Sequence, residues 1–303
     1  MFSVTEDKLH TPVMLQEVLE YLDLSPGKLV VDATLGLAGH SKALLERILP
    51  GGRLIGIDRD EESLKIARVK LSGFADSVEL VQGNFVDIDN ILRSLKINKI
   101  DAALFDLGVS SFQLSDPQRG FSFQSNGPLD MRLDRNSYVS AYDLVNNLNE
   151  DEISSLLWNF GQERWHNRIA HLLVEERQRH PIATTSELVS IVERAIPSRY
   201  RHRYYRIHPA TRTFQAVRIA VNRELEILEE AINKSIALLN KDARICVISF
   251  HSLEDRAVKW AFRKAAAQEL IKIITPKPLT PRESEVRLNP SARSSKLRVA
   301  EKL

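Results

Sequence analysis

Hydrophobic positions along this chain follow two rhythms in turn. Leu29–Asp32, Leu54–Asp58, Val78–Gln82 and Ile100–Asp106 are short runs rich in Val, Ile and Leu, each ending at a turn-forming or acidic residue. Between them, Ser41–Leu49, Glu61–Leu71 and Val86–Leu95 space their apolar residues as helices do. Continuous apolar strands alternating with short helices predict parallel βαβ units. The fold class is therefore α/β, a doubly wound, mostly parallel sheet covered on both faces.

The alternation then stops. Gly108–Arg135 is rich in Ser, Gly, Pro and Asp and reads as a long loop, and Ala141–Ala195 is helical throughout. Residues 113–206 are thus predicted to be a loop plus helical insertion, a substrate domain. Residues 1–112 and 207–303 together form the discontinuous sheet domain. After the insertion, Phe214, Val217, Val221, Leu225, Leu228, Ile232, Ile236 and Leu239 fall three and four apart. They predict one long amphipathic helix over Arg212–Leu239. Ile245–Phe250 reads as a buried strand and Ser252–Ala267 as a helix. Lys272–Thr275 and Leu297–Ala300 read as a final pair of edge strands.

With 43% hydrophobic and 27% charged residues among 303, most of the chain is expected to fold. No apolar run approaches the ~20 residues that would cross a bilayer. The first ten residues lack the apolar stretch of a secretory signal. The single cysteine, Cys246, lies within an apolar run, which suits a core residue in a reducing, cytoplasmic compartment. The net charge of +2 conceals an uneven distribution. Seven arginines and no acid occur from Arg199 to Arg223, and eight Lys or Arg against three Glu from Lys272 to Leu303. Arg199, Arg201, Arg203 and Arg206 alternate with Tyr200, Tyr204 and Tyr205. Arginine neutralises phosphate while aromatic faces stack on unpaired bases, so RNA is the expected partner and a membrane is not.

The candidate chemistry sits at strand ends. Gly36 and Gly39 follow the first strand, in the turn where a backbone can come close to a ligand. Asp58 ends the second strand, where a carboxylate can accept both hydroxyls of an adenosine ribose. That placement suits NAD equally well. Three features favour S-adenosylmethionine. Asp32 precedes the glycines and can serve a methionine ammonium. The turn lacks the full G-x-G-x-x-G pattern that a pyrophosphate requires. Asp106 ends the fourth strand, at the carboxyl edge that faces the crevice. Phe85 is placed to flank an adenine. His251 and Glu254, after the late strand, are placed to orient a base, although a capping box from Ser252 to Asp255 explains the same turn. No metal ligand set is expected.

Longer motifs then combine. His10-Thr11-Pro12-Val13-Met14-Leu15, Asp106-Leu107-Gly108-Val109-Ser110-Ser111, Arg119-Gly120-Phe121-Ser122-Phe123 and Gly127-Pro128-Leu129-Asp130-Met131-Arg132 occur in this order. They are followed by His208–Arg218, Ser249–Arg256 and Asn289–Ser295. Together these stretches resemble the ribosomal RNA small subunit methyltransferase H family, also called MraW. The resemblance implies a class I S-adenosylmethionine-dependent methyltransferase, Rossmann-like, with an inserted helical domain. It implies N4-methylation of a cytidine in the decoding region of 16S rRNA, within the small ribosomal subunit or an assembly intermediate. It assigns the cofactor to Ala38, Gly39, His40, Asp58, Phe85, Asp106 and Gln113. The family usually has two glycines before the histidine. Ala38 stands in place of the first, tolerable at negative φ and strained at positive φ.

Asp106 is the candidate catalytic residue, as an acceptor for the amine, and a role in cofactor binding alone stays open beside it. Asp130 and Arg132 are candidates for the base edge or a phosphate, with a structural ion pair as the alternative. Arg212 and Arg218 are candidates for ordering the site, and Arg212 and His251 for RNA. Two rival readings remain, a nucleotide-binding dehydrogenase and a non-catalytic RNA-binding assembly factor. Oligomeric state is not legible, and a homodimer is compatible with the sequence.

Overall fold

The computed structural model describes residues 12–197 and 207–303. Its sheet has seven strands: β1 (Leu29–Asp32), β2 (Arg53–Asp58), β3 (Val78–Gln82), β4 (Ile100–Asp106), β5 (Leu239–Ser249), β6 (Ile271–Ile273) and β7 (Lys296–Lys302). Their order is β3-β2-β1-β4-β5-β7-β6. The pairs from β3 to β5 are parallel, whereas β7 runs antiparallel to both β5 and β6. The strand order reverses beside β1, which pairs with both β2 and β4. In an open sheet the crevice lies at such a switch point, outside the carboxyl ends of the strands.

Alternation along the strands makes two cores. Val31, Ile55, Ala103, Phe105, Ile245 and Val247 face one way. Val30, Leu54, Ala102, Leu104, Cys246 and Ile248 face the other. The second face is covered by α1 (Leu15–Leu22), α2 (Gly39–Ile48) and α3 (Glu61–Lys70), through residues such as Val18, Leu44, Leu45 and Leu64. The first is covered by α4 (Ile88–Ser94) and by two later helices through Ile232, Ile236, Val258 and Phe262. Burial on both faces is why β1, β2 and β4 read as largely apolar runs, whereas β3 at the sheet edge is only half-buried.

The chain divides into two units, Met1–Ser110 with Leu225–Leu303, and Ser111–Glu224. The second holds α5 (Ser111–Ser115), α6 (Ala141–Asn147), α7 (Glu150–Gly161), α8 (His166–Arg177), α9 (Thr185–Ala195) and α10 (Thr211–Asn222). It reaches Glu224 rather than ending at 206, because α10 packs closely along α7. A Cβ at Gly161 would lie 2.6 Å from the Arg212 carbonyl oxygen. The expected long loop is pinned within this unit. Arg119 is buried and donates to the carbonyls of Arg132 and Leu133. Asn222 donates to the Met131 carbonyl and accepts from the Leu133 N–H.

Three further expectations are corrected. The single helix over 212–239 is two, α10 and α11 (Glu224–Leu238). Arg223 breaks it at φ 53, its N–H turned back to Ala220 and Ile219, with Arg218 and Glu224 forming a bidentate ion pair across the break. Hydrophobic spacing does not register one left-handed residue. β7 is not an edge strand, since it lies between β5 and β6, with Leu297 and Val299 wholly buried. Finally, α12 (Ser252–Ala267) is capped by His251 and boxed by Glu254, not by Ser252 and Asp255. Asp255 is drawn instead to Arg298 at 2.7 Å and Lys296 at 3.0 Å. Among the described residues, no helix is long and apolar enough to cross a membrane.

Candidate cofactor and catalytic site

The site is built where β1 turns into α2. Gly36 and Ala38 both adopt left-handed backbone, at φ 50 and φ 57. The turn is tied from both sides by carboxylates. Asp32 accepts from the Thr34 N–H at 3.2 Å and from the Ser41 hydroxyl at 2.6 Å. Asp58, at the end of β2, accepts from the Gly36 N–H at 2.7 Å and the Asp60 N–H at 2.9 Å. The positive φ at Ala38 is the strained alternative, costing about 1–2 kcal/mol for an L-residue. Its methyl group is wholly buried in the second core, which offsets about 0.8 kcal/mol of that.

Asp106 closes the site at the end of β4. Its N–H donates to Thr34 Oγ1 at 2.5 Å, and its Oδ2 lies 3.4 Å from His40 Nδ1. His40 is buried, and its Nε2 bonds the Val13 carbonyl oxygen at 2.9 Å. A carbonyl can only accept, so Nε2 carries a proton and Nδ1 is the nitrogen turned to Asp106. The other carboxylate oxygen, Asp106 Oδ1, is buried with no hydrogen-bond partner among the described residues. Phe85 stands edge-on to Phe105, with ring centroids 5.7 Å apart.

These carboxylates are held out of water and close to one another. Burial, aided by the charge of Asp58, pushes Asp32 up to about 6 against the hydrogen bonds from Ser41 and Thr34. Burial likewise pushes Asp58 up to about 6 against the N–H groups of Asp60 and Gly36. Asp106 is raised well above the usual carboxylate range, first by burial and then by the charges of Asp32 and Glu254. Buried like charges cannot all ionise cheaply without a cation nearby. The donor set therefore fits a positively charged ligand such as a sulfonium with its ammonium. A dinucleotide would bring its anionic pyrophosphate to the same carboxylates, which counts against the dehydrogenase reading.

The remaining candidates separate. Asp130 and Arg132 satisfy each other, with Nη2 to Oδ2 at 2.6 Å, and Arg132 also donates to the carbonyls of Arg135 and Ser137. The ion pair of the structural alternative is therefore formed, and both side chains stay partly exposed. Arg212 donates to the Gln162 carbonyl at the end of α7, and Arg218 is held by Glu224. His251 Nδ1 accepts from the Glu254 N–H as a helix cap, while Glu254 accepts from the Phe250 N–H at 2.7 Å. Gln113 is buried in α5 of the second unit. Arg199, Arg201, Arg203 and Arg206, with their tyrosines, lie outside the described residues, as does His10. Sequence reasoning missed Thr34 and Ser41, which organise Asp106 and Asp32. The signal was their spacing from Asp32, at two and nine residues along a strand–turn–helix.

The sequence matches the MraW methylase family over residues 7–303. The chain belongs to this family. It is 43% identical over 309 residues to the ribosomal RNA small subunit methyltransferase H of Brevibacillus brevis, covering 97% of this chain and 98% of that one. The methyltransferase of the same name from Geobacter sp. strain M21 is 48% identical over 313 residues, covering 98% and 100%. As a member of the MraW family the protein is an S-adenosylmethionine-dependent methyltransferase, and its sheet is of the class I, Rossmann-like kind.

Proposed function

We propose that the protein methylates N4 of a specific cytidine in the decoding region of 16S rRNA, acting in the cytoplasm on the small ribosomal subunit or an assembly intermediate. The relatives' shared name supports ribosomal RNA of the small subunit as the substrate class. The observation that carries the chemistry is Asp106, a buried carboxylate with one partnerless oxygen and the other beside His40.

S-adenosylmethionine, when bound, supplies a methyl group made electrophilic by its sulfonium. Asp58 would hold the ribose hydroxyls with the lone pairs that its backbone bonds leave over. Phe85 would flank the adenine, and Ala38, Gly39 and His40 would line the turn beneath the methionine. Asp32 and Asp106 would supply the negative charge that a cation favours. The exocyclic amine of cytosine is a weak nucleophile because its lone pair is delocalised into the ring. Asp106 Oδ1 would accept an N–H from that amine and stabilise the positive charge developing on nitrogen. The proton released there would pass to Asp106, or through it to Nδ1 of His40. Holding nitrogen in line with the methyl group is chiefly a matter of position.

Methylation at cytosine C5 through a thiolate is disfavoured. Cys246 is wholly buried in β5, and burial pushes its thiol far above the ordinary range. The second unit is the proposed RNA-binding part. The test combines labelled S-adenosylmethionine, purified protein and small subunits lacking the modification, followed by mass mapping of the 16S rRNA. The expected outcome is one N4-methylated cytidine. Label on another atom, or on no RNA, overturns the reading.

A further inference from the structure

Helix α12 leads away from the site. Its first turn holds His251 and Glu254 at the carboxyl end of β5, and it then continues to Ala267 along the first face of the sheet. Its inner side is apolar, with Val258, Ala261, Phe262 and Ala265 buried. Its outer side carries Arg256, Lys259, Trp260, Arg263 and Lys264, at the three- and four-residue spacing that sets residues on one side of a helix. From Arg256 to Gln268 there are four cations and no Asp or Glu. Lys264 is engaged by Glu229 at 3.0 Å. Arg256, Lys259 and Arg263 form no ion pair among the described residues.

Trp260 sits within this stripe, 57% exposed, with the Arg263 guanidinium 5.4 Å from its ring centroid. A solvated helix face ordinarily mixes both signs of charge and keeps large aromatic rings covered. Uncompensated cations around an exposed indole match what a single-stranded polynucleotide offers, phosphates for the cations and a base face for the ring. An acidic protein surface would answer the charge but would leave the indole without a partner. In the basic C-terminal stretch, by contrast, Lys296 and Arg298 are both held by Asp255 and Arg298 is buried. From Arg256 to Arg263 the stripe rises about 10 Å, starting about one turn from the capping residues beside the crevice.

We propose that the outer face of α12 is a second RNA contact. On it Arg256, Lys259 and Arg263 track the backbone of unpaired RNA adjoining the target nucleotide, and Trp260 stacks on one of its bases. This rests on the reading of the substrate as ribosomal RNA, and it concerns a surface that the methyl-transfer chemistry does not use.

The experiment measures binding of a fluorescent single-stranded oligoribonucleotide to the full chain at several salt concentrations, apart from any methylation assay. Arg256→Ala, Lys259→Ala and Arg263→Ala combined should flatten the plot of log affinity against log salt by about 2, at ~0.7 per phosphate lost. Trp260→Ala should weaken binding roughly five- to hundred-fold, and Trp260→Phe should keep most of it. Cofactor affinity should be unchanged in every variant, which shows that each is folded. A wild-type slope and affinity in both the triple variant and Trp260→Ala overturns the proposal. So does a triple variant that loses polyglutamate binding as much as RNA binding while Trp260→Ala changes neither. If no ribosomal RNA is methylated by the wild type yet the oligoribonucleotide results hold, the proposed function falls and this contact stands.

Discussion

His40 and Asp106 meet with Nδ1 3.4 Å from Oδ2, and the bond from His40 Nε2 to the Val13 carbonyl fixes which imidazole nitrogen faces the carboxylate. The arrangement gives Asp106 one oxygen turned to a proton acceptor and one with no partner. An asparagine fits the same space, because its amide N–H can donate to Nδ1. Asp106→Asn should therefore raise the melting temperature of the ligand-free protein at pH 7, since it removes a carboxyl group whose ionisation is opposed by burial and by the charges of Asp32 and Glu254. It should lower single-turnover methyl transfer by about 10²–10⁴, the range for losing a general base. Cofactor affinity should fall far less. Equal losses in transfer and affinity would reduce Asp106 to a cofactor ligand.

The same carboxylates set a pH dependence. Asp32 and Asp58 titrate near 6 in the folded chain and near 3.8 unfolded, so between those values the folded state binds more protons. Stability of the ligand-free protein therefore falls as pH rises from about 4 to 6, by about 3 kcal/mol for each group once fully ionised. Cofactor affinity should move the opposite way, rising from pH 5 to 7 as the carboxylates ionise. Urea unfolding of wild type and Asp32→Asn at pH 5 and pH 7 checks the first. The variant should lose about half of the drop attributed to the pair. Calorimetric titration with S-adenosylmethionine across the same range checks the second.

Asp255 joins α12 to β7 through Arg298 and Lys296. Burial alone would raise its carboxyl, but the two cations outweigh burial and hold it below the usual range. Asp255→Ala strands a buried Arg298 and should cost about 3–5 kcal/mol. His251→Ala should cost about 1 kcal/mol as a lost cap, and Ser252→Ala a few tenths at most. Denaturant midpoints for the three variants give the ranking. A Ser252 variant as damaged as the His251 variant would restore the cap that the sequence suggested.

Strands β1, β2 and β4 were legible because both faces of each are buried, so a continuous apolar run is the pattern itself. Asp58 and Asp106 were legible for a related reason, since carboxyl ends of parallel strands face the crevice in any such sheet. Arg223 was not, because one residue of opposite hand leaves the apolar spacing of Val221, Leu225 and Leu228 intact. The pairing of Asp130 with Arg132 was legible only as one of two alternatives, because a sequence cannot show whether two opposite charges two residues apart meet. His40 was visible only through the family motif. Its partner Val13 is 27 residues away, and a backbone carbonyl leaves no mark in a sequence.

Ala38 and Arg223 share almost the same left-handed backbone, at φ 57 and φ 53, yet glycine should act differently at each. Both substitutions relieve about 1–2 kcal/mol of steric strain, and both return about 0.5–1 kcal/mol of backbone freedom to the unfolded chain. Arg223 is exposed and closes a helix, the position where glycine is most favoured. Arg223→Gly should therefore stabilise the protein by up to about 1 kcal/mol. Ala38 is wholly buried, so Ala38→Gly also loses about 0.8 kcal/mol of methyl burial and leaves a small void in the second core. The gain should cancel there, with stability unchanged to within about 0.5 kcal/mol. Ala38→Val adds bulk and β-branching at positive φ and should destabilise by about 2 kcal/mol or more, weakening cofactor binding as the turn shifts. Thermal unfolding of the three variants, each with and without S-adenosylmethionine, tests the set. A gain at Ala38→Gly as large as at Arg223→Gly would mean that the buried methyl contributes nothing, and that the alanine in this turn is tolerated for some other reason.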